Sequence, residues 1–188
     1  MNWYDKLNQY FPIEEMKSKE HIEILLKDKQ DIYKKDEGPD HVLLYVEGKE
    51  FIFVDYLFVG KNARGQGLGK KLIHQLQEKQ KTIFLEVEPV QENDVDTSKR
   101  LRFYQREGFL HASSIAYNRK SLATEEDTPM EILYWPAHDA VKEEDVFNYM
   151  KKIYSEIHTH KDKHLYGKSY QSVDEVLNIE TEVESDRV

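Results

Sequence analysis

Four of the chain's 8 glycines fall in one ten-residue stretch, Gly60-Lys-Asn-Ala-Arg-Gly-Gln-Gly-Leu-Gly69. A glycine-rich segment that leaves a strand and opens a helix is suited to holding phosphate. Glycine lets the backbone come close to the anion, and a helix start offers unpaired N–H groups and the positive end of the dipole. Three patterns compete for the stretch. The nucleoside-triphosphate loop needs two glycines five apart, then Lys and Ser or Thr; here Gly69-Lys70 is followed by Lys71, and position 64 is arginine, so that pattern fails. The dinucleotide fingerprint G-x-G-x-x-G fails on spacing, because the glycines stand at 65, 67 and 69. The third, Arg64-x-x-Gly67-x-Gly69, is the arrangement of a pyrophosphate loop for coenzyme A.

The elements that must position this loop can be read from periodicity. Residues 51–59 are apolar on both faces, as a central strand should be, and residues 68–76 place Leu68, Leu72, Ile73 and Leu76 on one side of a helix. Upstream, helices are expected over residues 3–10 and 14–29, a weak strand over 31–35 and a strand over 41–46 closed by a tight turn at 47–49. Downstream, a strand over 82–87 leads through an acidic loop to a helix capped by Asp96 or Thr97 and ended by Gly108. Strands are expected over 110–117 and 130–135, with a polar loop over 118–128 between them. Past Pro136 a single helix is expected over 143–158, with Val146, Phe147, Met150, Ile153, Tyr154 and Ile157 as its apolar stripe. That stripe is expected to pack on its own domain; the alternative is a second subunit, as a homodimer. A short helix is expected over 174–179, then a mobile acidic tail. The order gives an α+β fold with a mixed central sheet, in two parts: residues 1–137 and a helical extension over 138–188.

Three segments together resemble the GNAT superfamily of N-acetyltransferases. The run Leu57-Phe-Val-Gly-Lys-Asn-Ala-Arg-Gly-Gln-Gly-Leu-Gly69 is similar to its acetyl-CoA-binding signature. Phe103-Tyr104, three residues, then Gly108-Phe109 is similar to the end of its fourth helix, and Leu85-Glu86-Val87 to its fifth strand. Order and spacing agree over residues 14–137. Two departures are visible. Thr97 stands where the family often has a coenzyme-contacting asparagine, though it keeps one hydroxyl donor, and the loop before the fourth helix is longer and more acidic. The family's first strand is also not visible at the N-terminus, so the sheet is expected one strand short.

The resemblance implies direct attack by an amine on the thioester of acetyl-CoA. It implies that Arg64, Gly65, Gln66, Gly67, Leu68 and Gly69 hold the pyrophosphate. Leu57, Phe58 and Val59 would pair with the pantetheine arm as an added strand and supply an oxyanion donor, and Thr97 would contribute a hydrogen bond. Tyr104, with a phenol pKa near 10 in water, would protonate the leaving thiolate. Glu86 would be the general base: it shares a strand face with Glu88, and two close carboxylates raise one another's pKa. Phe53 occupies an alternative base position of the family, and Asp55, on the same face, is the backup. The acceptor would be a primary amine of a small molecule or peptide. A catalytically silent acyl-CoA-binding module of the same fold, as sensor or scaffold, is the alternative, and a different acyl donor is not distinguished by the loop.

Composition narrows the field. The 188 residues contain no cysteine, which excludes disulfides, thiolate metal sites and a cysteine nucleophile. The net charge of −9 argues against a general nucleic-acid binder. No apolar run approaches the roughly 20 residues that span a bilayer, so a cytoplasmic protein is expected. His158, His160 and His164 are read as a solvated helix end and no metal site is expected; Glu92, Asp94 and Asp96 are read as a solvated acidic loop. Tyr117, Tyr134 and Trp135 are candidates for an acceptor pocket or for core.

Overall fold

A computed structural model describes residues 1–91, 95–121 and 124–180. Glu92 and Asp94 of the acidic loop, and residues 181–188 of the tail, lie outside the described residues. The chain opens with α1 (Trp3–Asn8), whose first turn is capped by the Asn2 side chain accepting from the Asp5 N–H. The helix expected over 14–29 is shorter. A 3-10 turn at Ile13–Glu15 comes first, and α2 (Lys19–Asp28) begins only after Ser18, whose hydroxyl accepts from the His21 N–H. The Lys17 N–H meanwhile donates to the Tyr56 hydroxyl at 2.9 Å. That bond and the serine cap keep residues 16–18 out of helical geometry.

Strands β1 (Tyr33–Gly38), β2 (His41–Glu47) and β3 (Phe51–Val59) form an antiparallel meander. After α3 (Leu68–Gln77), β4 (Thr82–Val87) returns parallel to β3. After α4 (Val95–Arg106) come β5 (Leu110–His111), β6 (Ile115–Lys120) and β7 (Asp127–Trp135). With β8 (Leu177–Ile179), the eight-stranded sheet has the order β1-β2-β3-β4-β7-β6-β8, with β5 also on β7. No strand precedes β1 among the described residues, yet the sheet has eight strands. The chain's end supplies β8, which pairs with β6. Among the described residues no helix is long and apolar enough to cross a membrane.

The central strands feed two cores. Ile52, Val54, Ile83 and Leu85 pack with Leu72, Ile73 and Leu76 of α3 and with Tyr104 of α4. Phe51, Phe53 and Phe84 pack on the other face with Leu7, Ile22, Leu25 and the helix that follows β7.

Four expectations beyond β4 are corrected. The strand over 110–117 breaks into β5 and β6 because Ser114 turns its N–H (2.8 Å) and its hydroxyl onto the Glu143 carboxylate. The loop over 118–128 is accordingly shorter, since β6 runs to Lys120 and β7 starts at Asp127. The helix over 143–158 is α5 (Glu143–Ile153) followed by a π-helical turn, Tyr154–His158, closed by the Thr159 N–H on the Tyr154 carbonyl at 3.0 Å. The helix over 174–179 is one turn, Val173–Val176, running into β8. The apolar stripe packs within the chain: Val146, Met150, Ile153, Tyr154 and Ile157 are buried in the same cluster as Phe53 and Phe84.

Candidate active site

The cleft exists because two parallel strands part. β3 pairs with β4 only from Phe51↔Thr82 to Val54↔Leu85, whereas its pairing with β2 continues to Val59↔His41. Between Tyr45↔Val54 and Leu44↔Tyr56 the register skips Asp55. Such a bulge bends its strand and increases the local twist. Beyond it, Leu57, Phe58 and Val59 carry backbone groups on an edge that β4 no longer covers.

The glycine loop stands at the end of that edge. Gly65 and Gly67 have φ of 79° and 80°, in the left-handed region that other residues enter at a cost. Gly67 is the N-cap of α3, and the first intrahelical bond runs from the Lys71 N–H to its carbonyl. The N–H groups of Leu68, Gly69 and Lys70 therefore have no partner within the helix. Arg64 is held by its Nε on the Val59 carbonyl at 3.0 Å and lies 4.6 Å from the Tyr10 ring. At Gly69 a Cβ would come within 3.3 Å of Phe103, so α3 and α4 meet there at close range.

Loop and strand edge open into one cleft of about 850 Å³. Leu57, Val59, Arg64, Gly65, Gly67, Leu68 and Gly69 line it, and so do Glu86 and Tyr104. Three expected residues do not. The Phe58 ring packs 5.8 Å from Tyr10. Gln66 is spent on its own turn, through its N–H on Ala63 and its side chain on Asn62. Thr97 is buried with its hydroxyl accepting from the Gln91 N–H at 3.2 Å, because α4 starts at Val95 and carries Thr97 inside its first turn. Tyr117 is a ligand of Glu86, while Tyr134 is core.

At the inner end of the cleft the carboxylates differ from expectation. Glu86 is contacted by His158 Nε2 at 2.6 Å, by the Tyr117 hydroxyl at 3.0 Å and by Arg119 Nε at 3.4 Å. Burial, the largest influence, pushes its pKa upward, but His158 and Arg119 together outweigh it and hold the carboxyl at about 2. Glu88 lies beside Glu15 instead. Burial raises Glu15 to about 7, Arg100 opposes this, and the like charge of Glu88 adds to it. Asp55, the backup base, is shared by Lys17 Nζ and the Tyr33 hydroxyl, both at 2.6 Å. Burial raises the Tyr104 phenol, against the pull of Arg100, so it is protonated at neutral pH.

His158 is no solvated helix end. It is 4% exposed, and the π-helical turn aims it at Glu86. Burial, then Lys17, lower its pKa, while the charge of Glu86, 2.6 Å from Nε2, pulls it back up. A sequence signal existed: His158 stands four residues after Tyr154, on the face of the apolar stripe. Among the described residues, no group of His, Asp and Glu side chains could hold a metal ion.

A family description reading "Acetyltransferase (GNAT) domain" matches residues 24–110. "Putative acetyltransferase YjbC" of Bacillus subtilis (strain 168) is 62% identical over 179 residues, covering 95% of this chain and 93% of its own. Among solved structures, the "Putative acetyltransferase from GNAT family from Bacteroides thetaiotaomicron" has a TM-score of 0.63 and 24% identity over 88% of this chain and 90% of that one. A GNAT family acetyltransferase from Elizabethkingia anophelis, solved with acetyl-CoA bound, has a TM-score of 0.49 and 19% identity over 72% of this chain and 91% of that one. The parted strands beside a glycine-rich helix start, the matching family description and the identity across nearly the whole chain lead to one conclusion: this chain belongs to the GNAT acetyltransferase family.

Proposed function

We propose that the protein is an acetyl-CoA-dependent N-acetyltransferase whose acceptor is a primary amine of a small molecule or peptide. The observation that carries the reading is the single cleft joining the uncovered β3 edge, the start of α3 and the buried Tyr104. The unpaired N–H groups of the first α3 turn suit a pyrophosphate. The edge at Leu57, Phe58 and Val59 suits an extended amide arm, which would add as a strand, and one of its N–H groups would meet the developing oxyanion. The amine nitrogen attacks the thioester carbon, the C–N bond forms and the C–S bond breaks. Sulfur takes its proton from Tyr104.

Glu86 is the sequence-based choice of base, and its surroundings favour another task. A carboxylate held at about 2 keeps a proton too rarely at neutral pH to accept one from an amine. Fixed by His158 and Tyr117 and faced by the Arg119 guanidinium, it instead supplies a standing negative charge that orients a cationic acceptor. Free-thiol release from acetyl-CoA with a panel of amines tests the proposal. Amine-dependent release supports it; tight coenzyme A binding with no release under any amine would favour the silent acyl-CoA-binding module.

A further inference from the structure

Glu15 is a carboxylate that the fold goes to some length to place and then leaves incomplete. Its carbonyl accepts from the Tyr56 hydroxyl at 2.9 Å, and the same hydroxyl accepts the Lys17 N–H at 2.9 Å, so a side chain of β3 clamps the backbone on both sides of it. Its side chain is 9% exposed, lines the cleft with Glu86 and Tyr104, and has Oε2 3.6 Å from Arg100. Its Oε1 is buried with no hydrogen bond, one of three such side-chain atoms among the described residues; the others are Nε of Arg100 and Nε of Arg119. A buried carboxylate oxygen without a partner is costly, and one facing a cleft asks for a donor from a ligand. The other carboxylates along the cleft are engaged: Glu86 and Asp55 as described, Asp96 with Lys99, and Glu107 with His74.

We infer that Glu15 is the general base of the transfer reaction, taking a proton from the acceptor's ammonium group on its unpartnered Oε1 while Arg100 lies 3.6 Å from its second oxygen. This rests on the acetyltransferase reading. The ammonium group gives one proton to the Glu15 carboxylate, and the neutral amine attacks the thioester carbon. As the C–S bond breaks, Tyr104 protonates sulfur and recovers the remaining proton from the new amide nitrogen. Glu15 then returns its proton to solvent. The groups facing Glu15 are Arg100 and Tyr104 from α4, Glu88 just after β4, Arg119 from β6 and Tyr56 from β3. Their balance leaves it titrating at about 7, where a base is most useful.

The test measures thiol release from acetyl-CoA, using the best acceptor from a panel of polyamines, amino acids and peptides with free amino groups. It compares the wild type, Glu15→Gln and Glu15→Asp, with coenzyme A binding followed by calorimetry on each. In the wild type, kcat/KM should climb with pH and level off near 7. Glu15→Gln should lower kcat/KM by about 10²-fold or more and lose that limb, with coenzyme A affinity unchanged. Glu15→Asp should keep the limb at a reduced rate. A Glu15→Gln enzyme that binds coenzyme A and retains both rate and limb would overturn the assignment. A wild type that binds coenzyme A and acetylates no amine would overturn the acetyltransferase reading, and the base with it.

Discussion

The two ends of the cleft are built in opposite ways. The loop end comes from one unbroken stretch, residues 57–69, in which strand edge, turn and helix start follow one another in the chain. The inner end is assembled from a 3-10 turn before α2, the end of β4, α4, β6 and a π-helical turn: Glu15, Glu86, Arg100, Tyr117, Arg119 and His158. The first kind of site is written in local spacing and backbone conformation. The second exists only after the sheet has formed and the C-terminal helix has docked. The matched family segment, residues 24–110, contains the whole loop end but leaves out Glu15, Tyr117, Arg119 and His158. Of the inner-end residues, only Glu86 and Arg100 fall inside the matched segment.

The comparison is most severely tested by removing the part that only the inner end needs. Truncation after Pro136 takes away Val146, Met150, Ile153, Tyr154, Ile157, Val176 and Leu177, all buried. Each such side chain contributes about 1.5–3 kcal/mol, and the seven together, about 10–20 kcal/mol, match or exceed the roughly 5–15 kcal/mol that stabilises a whole domain. The truncated chain should fail to fold, as read by circular dichroism and gel filtration. A soluble product that melts like the full chain would make the inner end an appendage. Next in size is Tyr104→Phe, which keeps the ring and removes the hydroxyl. It should lower kcat by about 10²-fold with acetyl-CoA affinity little changed; an unchanged kcat, with chemistry rate-limiting, would return Tyr104 to the core.

The two inner carboxylates should respond oppositely. Glu86→Gln strands the buried Arg119 charge and should cost about 3 kcal/mol, a fall in Tm of roughly 6–12 °C. Glu15 has a folded pKa of about 7, above its usual 4.5. Its contribution is fully present below pH 4.5 and is lost as pH rises through 7. Glu15→Gln should therefore gain stability relative to the wild type between pH 5 and pH 8. Urea melts at the two pH values check both signs, and a matched loss in the two variants would erase the distinction.

The smallest effect concerns His21, whose Nε2 lies 3.2 Å from the Ile157 carbonyl in the π-helical turn and whose Nδ1 lies 3.0 Å from the Tyr166 hydroxyl. Burial, then Lys17, lower its pKa from 6.5 to about 3. Its contribution is present above pH 6.5 and is lost as pH falls towards 3, because the unfolded chain takes up the proton first. The His21 ring resonances should show no protonation between pH 7 and pH 4; a titration near 6.5 would mean that the helices do not enclose it.

What was legible in the sequence follows the same division. The apolar strand over 51–59, the glycine loop and the stop at Gly108 are set by neighbours within a few residues, and they stand where periodicity and turn chemistry put them; α4 itself starts at Val95, so neither Asp96 nor Thr97 is its cap. The misreadings share a cause, contacts with distant residues. Tyr56, far along the chain, holds the Lys17 N–H and so delays α2, which leaves Glu15 in a 3-10 turn on the cleft wall instead of inside an α-helix. Glu143 draws Ser114 out of the strand. The pairing of β8 with β6 turns an expected helix into a strand. Strand alternation alone would put Glu88 beside Glu86. β4 ends at Val87, and Glu88 meets Glu15 instead.

The central claim is that residues 64–69 hold the pyrophosphate of a coenzyme A thioester. The direct measurement is a calorimetric titration of coenzyme A into the wild type and into Gly67→Asp. Gly67 caps α3 at a φ of 80° with no atom within 4 Å of where a Cβ would stand, so the aspartate adds backbone strain and a negative charge at the anion site without a clash in the core. The account predicts that the wild type binds and that affinity in the variant, shown by its melt to be folded, falls by about tenfold or more. Equal affinity in the two proteins would contradict it.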